Sequence, residues 1–155
     1  MRIPKIYLET TMFNYYFDED RDAHPYTKML FDEVKMGKYL AYTSEYVIAE
    51  LLRAPENKRS SMFGLIREYD IAILGLSEEI ERLARLYVQE GIIPERFITD
   101  GIHIAATTVH DLDMILSLNF KHIVKKKTME LTSLVNIREG YRSIGIFTPM
   151  EVVEE

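Results

Sequence analysis

The sequence predicts an α/β chain: a three-layer α/β/α sandwich on a mostly parallel central sheet of about five strands, with helices on both faces. Three observations predict it. Short runs rich in β-branched and aromatic residues alternate with longer amphipathic runs from one end to the other. Strands separated by helices need crossover connections, which make neighbouring strands parallel and cover both faces of the sheet. Finally, 155 residues, 47% of them apolar, suffice for one buried core and leave no room for a second, so residues 1–155 read as one domain.

The elements follow in chain order. Residues 3–8 form a first strand, and residues 10–17 a polar-aromatic helix. Asp18, Glu19, Asp20 and Asp22 make an acidic loop. Residues 25–36 form a helix closed by Gly37, the residue type that takes the left-handed conformation after a helix at least cost. Residues 39–43 are a second strand, and Ser44 caps a helix running to about Arg53, where Pro55 stops it. A helix over 56–68 and a third strand over 71–76 come next. Ser77 then caps a helix whose Ile80, Leu83, Ala84, Tyr87 and Val88 share one face, with Glu78–Arg82 and Glu81–Arg85 pairs outside. Gly91 and Pro94 end it. A helix over 99–110, a fourth strand over 114–118 and a fifth over 144–148 complete the reading.

Composition narrows the function classes. Nineteen Lys and Arg face 25 Asp and Glu, a formal net charge of −6, so a nucleic acid is held only by a local patch. The chain has no Cys, which excludes disulfide scaffolds, thiolate zinc sites and a Cys nucleophile. No apolar run approaches the ~20 residues that span a bilayer, and the start is too short for a signal peptide. A cytoplasmic location is expected.

In parallel sheets, functional groups gather beyond the carboxyl ends of the strands. That rule sorts the acids. Glu9 directly follows Ile6-Tyr7-Leu8; Glu50 lies two turns into the helix after the second strand; Asp100 opens the helix before the fourth; Asn119 follows Ile115-Leu116-Ser117-Leu118. Asp111 and Asp113 precede the fourth strand and fall at the opposite end. Asp100, His103 and Thr107 make a polar stripe on a helix that is otherwise apolar nearly all round, and His103 reads as a hydrogen-bonded core histidine. Buried acids repel one another unless a cation neutralises them. Oxygen donors without a His and Cys pattern suit Mg²⁺ or Mn²⁺ rather than zinc.

These four stretches resemble the PIN-domain family of metal-dependent ribonucleases. The resemblance lies in Ile6-Tyr7-Leu8-Glu9-Thr10-Thr11, then Thr43-Ser44-Glu45-Tyr46-Val47-Ile48-Ala49-Glu50-Leu51, then Asp100-Gly101-Ile102-His103-Ile104-Ala105-Ala106-Thr107, and Ser117-Leu118-Asn119-Phe120. It spans residues 3 to about 121. Two positions depart from the family's pattern: Glu9 stands where Asp is usual, and Asn119 gives a carbonyl oxygen without a charge. The resemblance implies phosphodiester hydrolysis in RNA by a protein similar to the toxin of toxin–antitoxin pairs. Glu9, Asp100, Asn119 and Glu50 would serve as catalytic and metal-holding residues. It also implies a homodimer and a small antitoxin partner. The alternative is a catalytically weak or silent PIN-like module that binds nucleic acid or a partner.

Lys121, Arg53, Thr10 and Ser44 are the expected nucleic-acid contacts, while Lys125, Lys126 and Lys127 read as a solvated helix end or loop. Phe13, Tyr15, Tyr16 and Phe17 read as core or dimer contacts. A phosphoacceptor receiver is disfavoured because the third strand ends in Ser77-Glu78. A haloacid-dehalogenase-type phosphatase is disfavoured because Glu9-Thr10-Thr11 replaces Asp-x-Asp.

Overall fold

A computed structural model of the chain describes residues 2–154. Its sheet has five strands, all parallel: β1 (Lys5–Leu8), β2 (Leu40–Ser44), β3 (Ala72–Leu74), β4 (Met114–Leu116) and β5 (Gly145–Phe147), in the order β3-β2-β1-β4-β5. Eight helices flank it in a three-layer arrangement. They are α1 (Thr10–Tyr15), α2 (His24–Lys35), α3 (Glu45–Leu51), α4 (Glu56–Glu68), α5 (Glu78–Gln89), α6 (Ile98–Val109), α7 (Lys126–Arg138) and α8 (Pro149–Val152). The expected architecture is present.

The centre of the sheet is its driest part. Ile6, Tyr7 and Leu8 of β1 and Ile115 and Leu116 of β4 have no exposed surface. The order reverses beside β1, since the chain goes from β1 outward to β2 and β3, then returns to place β4 on its other side. The carboxyl ends of β1 and β4 therefore meet at a switch point, where loops diverge and leave a cleft.

Several strands are shorter than expected, for reasons that bear on the site. The residues after β4 spend their donors on side chains: Leu118 N–H bonds Thr11 Oγ1 at 2.8 Å and Asn119 N–H bonds Ser117 Oγ at 3.0 Å. The ladder stops there. After β5, the Thr148 N–H and hydroxyl both donate to Glu151, which starts α8. Gly37 does end α2 with φ +82°.

The sequence reading missed α7 because this helix is inside out. Its buried face carries Thr128, Thr132 and Asn136 beside Val135, whereas Leu134 and Ile137 are exposed. Asn136 Nδ2 donates to Thr108 Oγ1 at 3.1 Å and its Oδ1 accepts from Tyr87, so the interior polarity is satisfied. The expected pairs along α5 are replaced as well. Among the described residues, Arg82 reaches Glu139 at 3.0 Å instead of Glu78, and no Glu81–Arg85 pair forms.

Candidate functional site

Glu9 leaves β1 at its carboxyl end and is 3% exposed. Its Oε1 accepts from two hydroxyls, Thr11 Oγ1 and Ser117 Oγ, each at 2.6 Å. Its Oε2 takes no hydrogen bond among the described residues. Burial pushes this carboxyl up from the usual range, against the pull of the His103 charge and of both hydroxyls.

Glu50 is aimed by α3, whose first turn Ser44 caps by accepting from the Tyr46 and Val47 N–H groups. Glu50 Oε1 accepts from Thr10 Oγ1 at 2.7 Å and meets His103 Nε2 at 2.7 Å. Burial alone would raise Glu50, but the His103 contact outweighs it and the carboxyl sits below its ordinary value. His103 shows the reverse competition. Burial lowers it, the Glu50 hydrogen bond and charge raise it more, and the net shift is upward. His103 Nε2 thus meets Glu50, its Nδ1 meets Tyr7 OH at 2.7 Å, and Tyr7 OH carries the chain on to Ser44 Oγ at 2.7 Å.

Asp100 stands in the first turn of α6, where a carboxylate suits the helix dipole. Its Oδ1 accepts from Asn119 Nδ2 at 3.2 Å, and its Oδ2 meets His122 Nδ1 at 3.0 Å. Burial raises this carboxyl, opposed by the two histidines and Asn119. Asn119 Oδ1 in turn accepts the His122 N–H at 3.1 Å, which folds the loop after β4 back over Asp100.

The four predicted side chains thus occupy one end of the sheet. Asn119 connects to Glu9 through Ser117, and Glu50 connects to α6 through His103. The chemistry of the donors fits a hard divalent cation, with free oxygens on Glu9 and Glu50. The spacing is looser than the chemistry. Among the described residues no three acidic or imidazole side chains stand close enough to hold one ion together. His103 already engages Glu50 and His122 already engages Asp100.

His103 is the satisfied core histidine expected of it. The part played by His122 was missed, since the sequence shows it only among lysines; its place three residues after Asn119, one turn along, is the available signal. Of the expected nucleic-acid contacts, Lys121 and Arg53 are exposed. Ser44 is fully buried and Thr10 nearly so, with their hydroxyls committed to Tyr7 and Glu50. That corrects the expectation for these two: a buried hydroxyl has no surface to offer a strand. Lys126 and Lys127 open α7, so the basic run is a helix end. A separate concavity of about 430 Å³ between α1 and α4, lined by Asn14, Phe17, Asn57, Lys58 and Met62 among others, touches none of the four site residues.

No family model matches the chain, and no curated protein matches it. Among solved structures, it is similar to a chain of the crystal structure of VapBC2 from Rickettsia felis bound to a DNA fragment from their promoter. The TM-score is 0.59 and the identity 12%, over 93% of this chain and 98% of that one. The fold is PIN-like.

Proposed function

We propose that this chain is a divalent-metal-dependent ribonuclease that hydrolyses phosphodiester bonds. The observation that carries the reading is that Glu9, Glu50 and Asp100 lie at the same end of a PIN-like sheet, with Glu9 buried yet hydrogen-bonded through only one of its oxygens. An acid kept in so dry a place at a net stability cost marks a site maintained for chemistry.

Glu9, Asp100 and Asn119, with Glu50, would hold a Mg²⁺ or Mn²⁺ ion. When bound, the ion supplies positive charge that acidifies the attacking water and offsets charge developing at phosphorus. The chain's own residues do the rest. Thr11 and Ser117 fix the Glu9 carboxylate through Oε1, leaving Oε2 as the donor. His103 and Thr10 hold Glu50 through its Oε1. Lys121 stands on the loop beside Asp100 as a phosphate contact. An antitoxin partner belongs to the same reading, supported by the likeness to a VapBC2 chain, and a homodimer is part of the proposal. The same reading takes the location to be cytoplasmic; among the described residues no helix is long and apolar enough to cross a membrane.

One observation favours a second reading, a silent PIN-like binding module: two histidines already occupy two of the carboxylates. Calorimetry with Mn²⁺ and an RNA cleavage assay separate the two. Asp100→Asn abolishes Mn²⁺-dependent cleavage if the chain is a nuclease of this kind. Undiminished cleavage by that variant refutes the site, and a wild type that neither binds Mn²⁺ nor cleaves is the module.

A further inference from the structure

Beside the acidic site the chain carries a second feature of opposite sign. Phe97 sits in the short 3₁₀ turn Glu95–Phe97 that leads into α6. The His122 ring lies against it, with centroids 4.2 Å apart and an interplanar angle of 33°. The Arg96 guanidinium is 5.1 Å and the Lys121 ammonium 5.6 Å from the Phe97 ring centroid, within cation–π range. Both cations are exposed, and neither has a carboxylate partner among the described residues. Next to them Phe120 is 55% exposed.

Two features make this a built surface rather than scattered side chains. The turn carrying Phe120, Lys121 and His122 is pinned at both ends: Asn119 Oδ1 accepts the His122 N–H, and Ile123 is fully buried. His122 then joins the surface to the site directly, stacking on Phe97 with its ring while its Nδ1 meets Asp100. Cations, a half-exposed phenyl ring and the candidate reaction centre are therefore neighbours across two segments, the turn Glu95–Phe97 and the loop after β4.

We propose that Arg96, Lys121 and Phe120 form a binding platform for single-stranded nucleic acid, which delivers the strand to the acidic site. The inference rests on the nuclease reading for its substrate and adds where and in what form that substrate is held. Carboxylates at the site repel phosphates, and the chain as a whole carries −6, so a strand needs fixed positive charge close by. Arg96 and Lys121 give it. Phe120 offers a π-face, which only an unpaired base is free to cover, because bases in a duplex already stack on their neighbours. A polyanion carrying flat aromatic groups matches both halves of the platform. An acidic peptide matches only one.

The test is fluorescence anisotropy of a short fluorescein-labelled single-stranded RNA with the full chain in EDTA, where the strand stays intact, alongside a duplex of the same sequence. Phe120→Leu weakens single-strand binding by about 5- to 150-fold, the worth of one base stack, and leaves duplex binding unchanged. Arg96→Gln and Lys121→Gln each reduce the slope of log K against log salt by about 0.7. All three positions are exposed, so unchanged thermal midpoints check the fold. Binding by all three variants at the wild-type level, or no binding by the wild type, overturns the platform. Cleavage assays with Mn²⁺ keep the two failures apart. Asp100-dependent cleavage that ignores all three substitutions removes the platform and leaves the nuclease reading. Binding through these residues without cleavage removes the nuclease reading and leaves the platform.

Discussion

His103→Leu perturbs the site at its most connected point. The imidazole is fully buried and engages Tyr7 through Nδ1 and Glu50 through Nε2. Leucine keeps much of the volume and removes both bonds. The two losses are unequal. Tyr7 has no exposed surface, so its hydroxyl keeps Ser44 but loses its second partner with no water to replace it, at about 1–3 kcal/mol. The Glu50 side chain is 28% exposed and keeps Thr10, so water compensates for most of its loss. A total of about 2–3 kcal/mol results. With a urea slope of about 2 kcal/mol per molar, the unfolding midpoint drops by about 1–1.5 M. The pH dependence has a definite sign. His103 is raised in the folded state, so its contribution is complete below the unfolded value near 6.5 and is lost as pH climbs through the folded value. The gap between wild type and His103→Leu therefore narrows from pH 6 to pH 9. A midpoint change under about 0.3 M, or a gap that widens with pH, refutes this account of the network.

Two further substitutions probe charge elsewhere. Glu9→Gln stabilises the chain at pH 7.5 by about 1 kcal/mol, a rise of about 2–4 °C in thermal midpoint, while abolishing Mn²⁺ binding. Glu9 is raised on folding, so the carboxyl destabilises only as pH rises past its unfolded value, and the advantage of glutamine disappears near pH 4 in thermal scans. At the other end of the sheet, Arg2 holds Asp113 down to about 2 by a paired hydrogen bond. A depressed carboxyl contributes stability above its unfolded value near 4 and loses it as pH falls toward 2. Arg2→Ala consequently lowers the midpoint at pH 6 by no more than about 4 °C and matches wild type below pH 2, as acid titration followed by circular dichroism checks.

What the sequence made legible depended on periodicity and position. Helix α4 is read correctly at both ends because Pro55 starts it, and α5 because Ser77 caps an apolar stripe. The placement of Glu9 and Asn119 at strand ends is legible from a rule that needs only the strands. Helix α7 escaped because its stripe is reversed: Thr128, Thr132 and Asn136 face inward toward Thr108 and Tyr87, and that preference exists only once α5 and α6 are in place. The contacts of His103 and His122 escaped for a related reason. Each joins residues distant in sequence, Glu50 to α6 and Asp100 to the loop after β4, and nothing local distinguishes such a histidine from one in solvent. Ser44 was misjudged because the hydroxyl that caps α3 is also the one Tyr7 requires.

The two histidines bear on why the donors do not converge. Three carboxylates at one switch point need positive charge from some source. In this arrangement His103 stands against Glu50 and His122 against Asp100, each contact drawing its carboxylate toward a different element: Glu50 toward α6, Asp100 toward the loop after β4. A divalent ion at the same place competes with those contacts, so its affinity is reduced by the free energy needed to release them. The two contacts are not equally firm. His103 is sealed in the core between Tyr7 and Glu50, whereas the His122 side chain keeps 11% exposure on a loop and retains the stack on Phe97 when its ring leaves Asp100. Asp100 is therefore the carboxylate that yields first to an ion. His122→Phe keeps the stack and removes the competing nitrogen, so the variant binds Mn²⁺ more tightly than wild type in calorimetry, by about tenfold for a contact of ~1.4 kcal/mol. Equal or weaker binding refutes the competition.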